Sequence, residues 1–331
     1  MASDEHDRGR EPVAGLTEVE GAAAGAAVAA APAAAPKVLS PWSDTWRRLK
    51  KNKLALIGLG IIAVFIVVGI VQVIAYPLTD GRGLTPYDPN AENYSLSPTG
   101  HGSSPSLSHP MGTDYLGRDI LSRALVATRI SLLVGVIAVA IGLIIGLILG
   151  PISGYYGGFV DTVIMRLADI FFAYPYILFV LLIMTVLGPG FVNVFLAIGI
   201  LGWASFARIV RGQVLSVKSM EYVEAARAQG ASDLRIIFRH VLPNSMAPVY
   251  VTIAMSVGGA IVTEAAMSFL GIGVQPPNAS WGKMISDYLN YLFAGSWWMV
   301  LFPSVLLTVT VFGFISFGNG LRDATDPRLK E

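Results

Sequence analysis

Long uncharged apolar runs limit what this chain can fold into more than any other feature of its sequence. The hydrocarbon core of a bilayer is about 30 Å thick, and a helix needs about 20 residues to cross it. Because water is absent there, a spanning segment must satisfy its own backbone hydrogen-bonding groups, which favours helices. The runs lie at residues 54–76, 130–154, 170–187, 191–206, 246–270 and 297–317. We therefore predict an all-α integral membrane protein with six transmembrane helices.

The composition agrees with this prediction. Of the 331 residues, 54% are hydrophobic and 14% are charged, whereas soluble domains carry about 25% charged residues. The first apolar run begins after more than fifty residues, so we expect it to remain as a transmembrane helix and not to be a cleaved signal peptide. The chain has no cysteine, which excludes disulfides, thiolate metal sites and cysteine nucleophiles.

The positions of lysine and arginine predict the orientation. Basic residues concentrate on the cytoplasmic side of membrane proteins, and a basic cluster at residues 47–53 precedes the first run. With both termini in the cytoplasm, 18 of the 23 lysines and arginines lie inside. The five outside would be Arg82, Arg118, Arg123, Arg129 and Lys283.

The segment before the first run has a different composition. Residues 1–40 include an Ala-rich stretch interrupted by proline, so we expect a disordered cytoplasmic tail. An Ala-rich helix is the alternative, but Pro32 and Pro36 interrupt it. Residues 41–53 combine tryptophans with basic residues and predict an amphipathic helix on the inner leaflet. Residues 54–331 would then form the membrane domain.

Two connections between the runs have clear characters. Residues 77–129 form a long segment that the predicted orientation places outside, and its middle, 93–109, is rich in Ser, Pro and Gly and therefore predicts a loop. Runs three and four are joined by Gly188-Pro189-Gly190, which predicts a tight turn.

A polar helical hairpin is predicted between runs four and five, at residues 219–243. Ser219 is a candidate N-cap of the first helix, and Gly230 would supply the left-handed residue that ends it. Ser232 or Asp233 would cap a second helix, whose apolar residues recur at i, i+3, i+4 and i+7. These residues are Leu234, Ile237, Phe238 and Val241. The residues alone leave two roles open: docking another protein, or covering the end of the bundle.

The segment GTDYLGRDILSR, residues 112–123, carries charges of alternating sign just before the second run. On physical grounds we interpret it as a solvated helix start with local ion pairs, because ion pairs at protein surfaces are common and weak.

Charges within the apolar runs are candidates for mechanism. Glu264 lies in the outer part of the fifth run, and exposure to lipid would be costly, so it should face the bundle or a wet cavity. We favour a structural hydrogen bond or a place along the translocation path over substrate recognition. Asp169 follows Arg166 by three residues, and the two can pair.

Signals for catalysis are missing from the sequence. There is no Gly-x-x-x-x-Gly-Lys-Ser/Thr phosphate loop, so ATP would have to be hydrolysed by another polypeptide. The four histidines lack metal-ligand spacing and are expected to be ordinary exposed side chains, and no nucleophile elbow is present. We predict a subunit that is not an enzyme, with no catalytic residue, metal or cofactor of its own and no nucleic-acid partner.

The predicted hairpin resembles the "EAA" loop of permease subunits of bacterial ATP-binding-cassette (ABC) importers. In that family the loop forms coupling helices that sit in a cleft of each ATPase subunit. His240 stands where the general pattern prefers isoleucine. The matching positions are Glu224, Ala225, Ala226, Gly230, Leu242 and Pro243.

Other segments resemble the C-type permeases of the dipeptide, oligopeptide and nickel branch. Residues 268–282 and 320–329 look like the corresponding segments there, although Asn319 replaces the usual acid. The resemblance covers about residues 41–329. The subfamily signature is matched at Gly112, Thr113, Asp114, Gly117, Arg118, Asp119, Ser122 and Arg123.

This resemblance implies a type I ABC importer permease fold in the bacterial cytoplasmic (inner) membrane. The chain would form half of a path for di- or oligopeptides and would work by alternating access. Its implied partners are a homologous B-type permease chain, two ABC ATPase subunits that bind ATP and magnesium, an extracellular or periplasmic peptide-binding protein, and membrane lipid. Import of nickel or another small solute is the alternative within the family. A secondary transporter or a passive channel subunit is the alternative from another class, but neither needs a hairpin that docks an ATPase.

Overall fold

The computed structural model describes residues 41–326, in which helices are joined by loops and no β-strand occurs. The predicted disorder of residues 1–40, and the closing residues 327–329, lie outside this range. A π-helical segment, Ile236–Val241, joins α8 to α9. The helices are α1 Pro41–Leu49, α2 Lys53–Leu78, α3 Ile120–Tyr156, α4 Gly158–Ala173, α5 Tyr176–Leu187, α6 Phe191–Val217, α7 Glu221–Ala228, α8 Asp233–Arg235, α9 Leu242–Asn244, α10 Ala247–Phe269, α11 Trp281–Leu292 and α12 Trp297–Thr325.

Five helices are long and apolar enough to cross a membrane: α2, α3, α6, α10 and α12. The pair α4 and α5 passes the same test together but is bent by 93°. Counted as one broken span, this pair brings the total to six. The prediction of an all-α membrane protein is confirmed.

The predicted continuous third span at residues 170–187 is wrong. The helix stops at Ala173 because Pro175 lacks a backbone N–H and disfavours helical geometry at the residue before it. Tyr174 is extended, with φ −104° and ψ 146°. α5 then has 12 residues, which span about 18 Å and are too few to cross the bilayer core alone.

The predicted start of the second span at Ile130 is also wrong, because α3 begins at Ile120 and has 37 residues. The sequence interpretation placed Arg123 and Arg129 outside the apolar helix. The structure places both within α3: Arg123 donates to the Pro89 carbonyl at 3.0 Å, and the Arg129 guanidinium lies 3.5 Å from the centre of the Tyr76 ring. Among residues 41–326, Nε of each arginine is buried without a hydrogen-bond partner.

The segment predicted as one interfacial helix at residues 41–53 forms α1 and the start of α2. Asn52 separates them, because its side chain accepts a hydrogen bond from the Ala55 N–H at 3.1 Å and so caps α2. The tight turn predicted at residues 188–190 is confirmed, since α5 ends and α6 begins on either side of it.

The long helices run between two ends of the bundle. At one end, Lys218 after α6 donates from Nζ to the carbonyl of Gly154 near the end of α3, at 2.8 Å. Asn52 lies at the same end, where its Nδ2 is 3.5 Å from Asp323 of α12. This end carries the hairpin α7–α9. The opposite end carries α11 and the segment between α2 and α3.

α3 and α6 pack closely through glycines that recur every four residues on α3 and therefore share one face. A Cβ atom on Gly146 would lie 2.4 Å from Cβ of Phe206 and 2.9 Å from the backbone nitrogen of Ala207. Small residues let two helix backbones approach in this way. The glycines are Gly142, Gly146, Gly150 and Gly154.

We predict that Gly146→Val separates α3 from α6 and destabilises the chain by about 1–3 kcal/mol, as expected for overpacking. The measurement is thermal unfolding of the purified protein in detergent. Gly60→Val is the matched control, since nothing lies within 4 Å of a Cβ placed on Gly60. Equal unfolding temperatures for the two variants would contradict this account of the helix contact.

Candidate functional site

The first helix of the hairpin, α7, begins one residue later than the predicted N-cap implies. Met220 is the N-cap, with extended φ −77° and ψ 145°, and it provides no side-chain cap. The predicted cap at Ser219 is therefore wrong; its hydroxyl instead lies 3.5 Å from the Ser216 carbonyl, back in α6. The left-handed residue predicted at Gly230 is confirmed, with φ +79°.

The second arm of the hairpin is partly π-helical. Its hydrogen bonds join residues five apart, so the buried face no longer follows a period of 3.6 residues. Ile236, Ile237 and Val241 are fully buried. Leu234 and Phe238, which the sequence placed on the same buried face, are 61% and 47% exposed. The prediction is wrong for these two residues because it assumed α-helical periodicity.

Polar contacts fix the hairpin to the end of α3. The Tyr155 hydroxyl donates to Asp233 Oδ1 at 2.7 Å and accepts from Arg227 at 3.3 Å. This contact with Tyr155 raises the pKa of the Arg227 guanidinium. Val223 of α7 and Val241 of the second arm also enter the main apolar core. The hairpin and the bundle are therefore mechanically linked.

The residues that carry the EAA resemblance lie on the outer surface of this anchored hairpin. Glu224, Ala225, Gly230 and Pro243 are exposed, while Ala226 and Leu242 are partly buried. The surface combines an acidic residue, small residues and, nearby, the exposed apolar side chains of Leu234 and Phe238. This combination suits contact with another protein better than contact with water alone.

At the opposite end, the segment 112–123 is a buried polar cluster. The Asp114 carboxylate accepts from the backbone N–H groups of Leu116 and Arg118, each at 2.9 Å, and from Arg118 Nε at 2.7 Å. The Tyr288 hydroxyl donates to it at 3.1 Å, and burial raises the pKa of that hydroxyl. Arg123 Nε lies 4.0 Å away.

Asp119 caps α3 in the same cluster. Its carboxylate accepts from the N–H and hydroxyl of Ser122 at 2.8 and 2.7 Å, and His109 Nδ1 lies 2.9 Å from it. The side chain of His109 is 12% exposed because the Tyr87 ring covers it at 4.5 Å. The expectation of an ordinary exposed histidine is wrong at this position.

Two glycines of the signature are required by backbone geometry. Gly112 and Gly117 each have φ +74°, and a Cβ on Gly117 would lie 1.8 Å from the carbonyl oxygen of Asn93. Thr113 is uncharged and buried, and its backbone carbonyl accepts a hydrogen bond from Trp298 Nε1 at 3.2 Å. The interpretation of this segment as a solvated helix start is wrong, because the surrounding loop and α11 enclose it.

Glu264 is fully buried and surrounded by hydroxyl groups. Ser268 donates to one carboxylate oxygen at 2.7 Å, and Ser131 of α3 lies 3.4 Å from the other. Ser280 extends the network through Ser268 at 3.3 Å. Glu264 thus joins α10 to α3 and to the start of α11.

The predicted pair of Arg166 and Asp169 includes a further arginine. Arg166 lies 3.5 Å from Asp169 as expected, and Arg208 of α6 lies closer, at 2.7 Å. Within residues 41–326, no group of three or more His, Cys, Asp or Glu side chains could hold a metal ion.

Sequence reasoning missed α11 and the partners of the buried acids. The signal for α11 was present: Ser280 caps the helix by accepting from the Lys283 N–H, and Trp281, Met284 and Tyr288 follow at i, i+3 and i+7. No comparable signal marked Ser131 or Tyr155, which reach their partners only through the packing of distant helices.

An apolar helical bundle with an anchored polar hairpin at one end and a buried polar cluster at the other defines an integral membrane subunit. The chain belongs to the family of binding-protein-dependent transport system inner membrane components, whose model matches residues 142–331. Residues 40–98 match the N-terminal transmembrane domain of oligopeptide transport permease C. It is therefore a membrane permease of the bacterial ABC importer type, and the resemblance inferred from its motifs is confirmed.

Individual relatives agree with this assignment. The dipeptide transport system permease protein DppC of Bacillus subtilis is 42% identical over 292 residues, covering 88% of this chain and 87% of that protein. The oligopeptide permease OppC of the same organism is 43% identical over 298 residues, with 89% and 92% covered. The glutathione permease GsiD of Escherichia coli is 40% identical over 294 residues, with 89% and 93% covered.

A solved structure of the MetNI methionine ABC transporter, in inward-facing conformations, aligns with a TM-score of 0.49 and 19% identity. The alignment covers 62% of this chain and 97% of that chain.

We predict that Asp114→Asn destabilises the chain by about 3–5 kcal/mol, because two partly or fully buried arginines lose their shared carboxylate. Thermal unfolding in detergent measures the effect. Arg82→Gln is the control: Arg82 is 67% exposed and pairs with Asp88 at 3.3 Å, so its loss should cost less than about 1 kcal/mol. Similar losses in the two variants would show that burial of Asp114 does not matter.

We predict that Glu264→Gln leaves the protein assembled, because the amide offers one acceptor to Ser268 and one donor to Ser131. Glu264→Ala leaves these hydroxyls unpaired and should cost about 1–3 kcal/mol or more. Unfolding temperatures of both variants, together with uptake rates, make the test. An alanine variant as stable as the wild type would refute the structural role.

Proposed function

We propose that this chain forms half of the pathway by which an ATP-driven importer moves di- or oligopeptides across the bacterial cytoplasmic membrane. Relatives that are 42–43% identical over nearly the whole chain carry the names of dipeptide and oligopeptide permeases. A second, homologous permease chain would supply the other half. An external binding protein would deliver the peptide.

The hairpin α7–α9 is the proposed coupling element. Its exposed surface, which includes Glu224 and Gly230, would dock on an ATPase subunit, and its anchors would pass the movement to the membrane helices. Tyr155 at the end of α3 is the polar link to the hairpin, and Lys218, where α6 leads into the hairpin, ties that end of α6 to α3. The anchored yet exposed surface is the observation that carries this proposal.

Energy would enter through the partner subunits. The sequence has no phosphate loop, so ATP and magnesium would be bound by two ATPases. Each nucleotide state would favour one arrangement of the bundle, since a ligand shifts an equilibrium only by its preference between states. With the hairpin on the ATPase side, both termini lie in the cytoplasm, as the distribution of basic residues predicts.

We predict that Gly230→Val and Glu224→Lys abolish ATP-dependent peptide uptake while the chain still inserts in the membrane. Valine is strained at φ +79°, and lysine reverses the charge on the docking surface. Uptake of labelled dipeptide into vesicles that contain the whole transporter is the measurement, and immunoblotting reports insertion.

Gly60→Val is the control for Gly230→Val, because it adds the same side chain where nothing lies within 4 Å. Normal uptake by the two hairpin variants would refute coupling through this surface. Import of nickel or another solute, with no peptide uptake by the wild type, would refute the substrate while leaving the coupling test valid.

A further inference from the structure

Helices α3, α5, α6 and α10 line a cavity of about 310 Å³ that is open on one side. Its lining residues lie near the midpoints of three of these helices, at 138–139 in α3, 198–206 in α6 and 256–263 in α10. The cavity is therefore about halfway between the hairpin end and the opposite end of the bundle. Tyr176, the first residue after the bend between α4 and α5, completes the wall.

Hydroxyl groups without partners line this cavity. Within residues 41–326, Tyr176, Ser205 and Ser256 form no side-chain hydrogen bond, whereas Thr263 donates to the Gly259 carbonyl at 3.0 Å. Tyr176 and Ser205 are exposed on the open side of the cavity, and Ser256 is partly buried. A hydroxyl left unpaired in an apolar environment costs about 1–3 kcal/mol or more. Three of them at the depth of the bilayer core indicate a cavity occupied by water or by a polar solute.

Two glycines in the wall could carry a side chain without a clash among residues 41–326. Nothing lies within 4 Å of a Cβ built on Gly259, and a Cβ on Gly202 would meet only the Cα of Gly142, at 3.9 Å. Gly146 is different, because a Cβ there would lie 2.4 Å from Phe206. At Gly202 and Gly259 the missing side chain instead widens the cavity and leaves the backbone accessible.

The chemistry of the wall matches a peptide backbone. Among residues 41–326, the lining includes no charged side chain, so the wall offers no fixed counter-charge that would favour one charged peptide side chain over another. Its hydroxyls can donate to carbonyls and accept from amides, which every peptide offers.

We infer that this cavity is the part of the translocation path that holds the backbone of the passing peptide. The hydroxyls of Tyr176, Ser205 and Ser256 bind peptide groups in turn, and Gly202 and Gly259 set the largest width that can pass. The inference rests on the proposed peptide import and adds to it the residues that contact the cargo.

The absence of cysteine from this chain allows a direct test. Ser256→Cys and Ser205→Cys are introduced singly into the whole transporter and treated with a charged methanethiosulfonate reagent, with the unmodified transporter as background. We expect both to react at least about tenfold faster than Gly60→Cys, because only a hydrated thiol forms the reactive thiolate. Trialanine in excess should slow the reaction at both positions.

Cysteines that stay unreactive, or that react at a rate trialanine does not change, would overturn the assignment. This readout does not require transport. If the wild-type transporter takes up no peptide, the proposed substrate is refuted, whatever the labelling shows. If the cavity cysteines react but trialanine gives no protection, the cavity is hydrated and the peptide site is refuted.

The width limit has its own test. Gly259→Val should lower the ratio of triphenylalanine to trialanine uptake by about tenfold or more, with Gly60→Val as the matched control that leaves this ratio unchanged. Equal loss of both peptides together with loss of the assembled complex would show that another protein chain packs here, and would overturn the inference. Unchanged uptake of both peptides would also overturn it.

Discussion

The close approach of α3 and α6 is the contact on which the rest of this structure depends. Membrane helices gain little from burying apolar surface against each other, since lipid is equally apolar, so backbone proximity and shape must hold them together. Four glycines on one face of α3 provide that proximity. Lys218 ties the ends of the same two helices together, and Tyr155 at the end of α3 holds the hairpin. The midpoints of the two helices form two walls of the central cavity.

The two ends of the bundle use polar groups in opposite ways. At the end opposite the hairpin, Asp114 and Asp119 are enclosed with matched donors, so charge there stabilises a fixed arrangement. Glu264, which is buried within α10, is likewise enclosed by hydrogen-bond donors. At the hairpin end, Glu224 and the apolar side chains of Leu234 and Phe238 are left exposed. One end of the bundle is therefore closed by paired charges, and the other end presents an exposed mixed surface; the proposed coupling through the hairpin would need this difference.

Much of the fold could be predicted from the sequence because lipid imposes a simple rule: an uncharged run of sufficient length becomes a helix. The errors occur where tertiary contacts override that rule. Arg129 lies within α3, where its guanidinium packs over the Tyr76 ring. In the hairpin, the π-helical segment changes which side chains are buried. Ser268 follows Glu264 by four residues on α10, but Ser131 and Ser280 reach this network from other segments, so no local pattern could bring the whole network together.

The helices also differ in how much freedom their sequences retain. α2 packs closely against α12, where Gly58, Gly313 and Gly320 lie at the contact, but most of its large side chains point outward. Many apolar replacements satisfy such a surface, so α2 is free to drift during evolution. α3 has no such latitude, since each glycine on its contact face meets another backbone. Divergence among transporters of this kind should accumulate on the rim of the bundle and spare its centre.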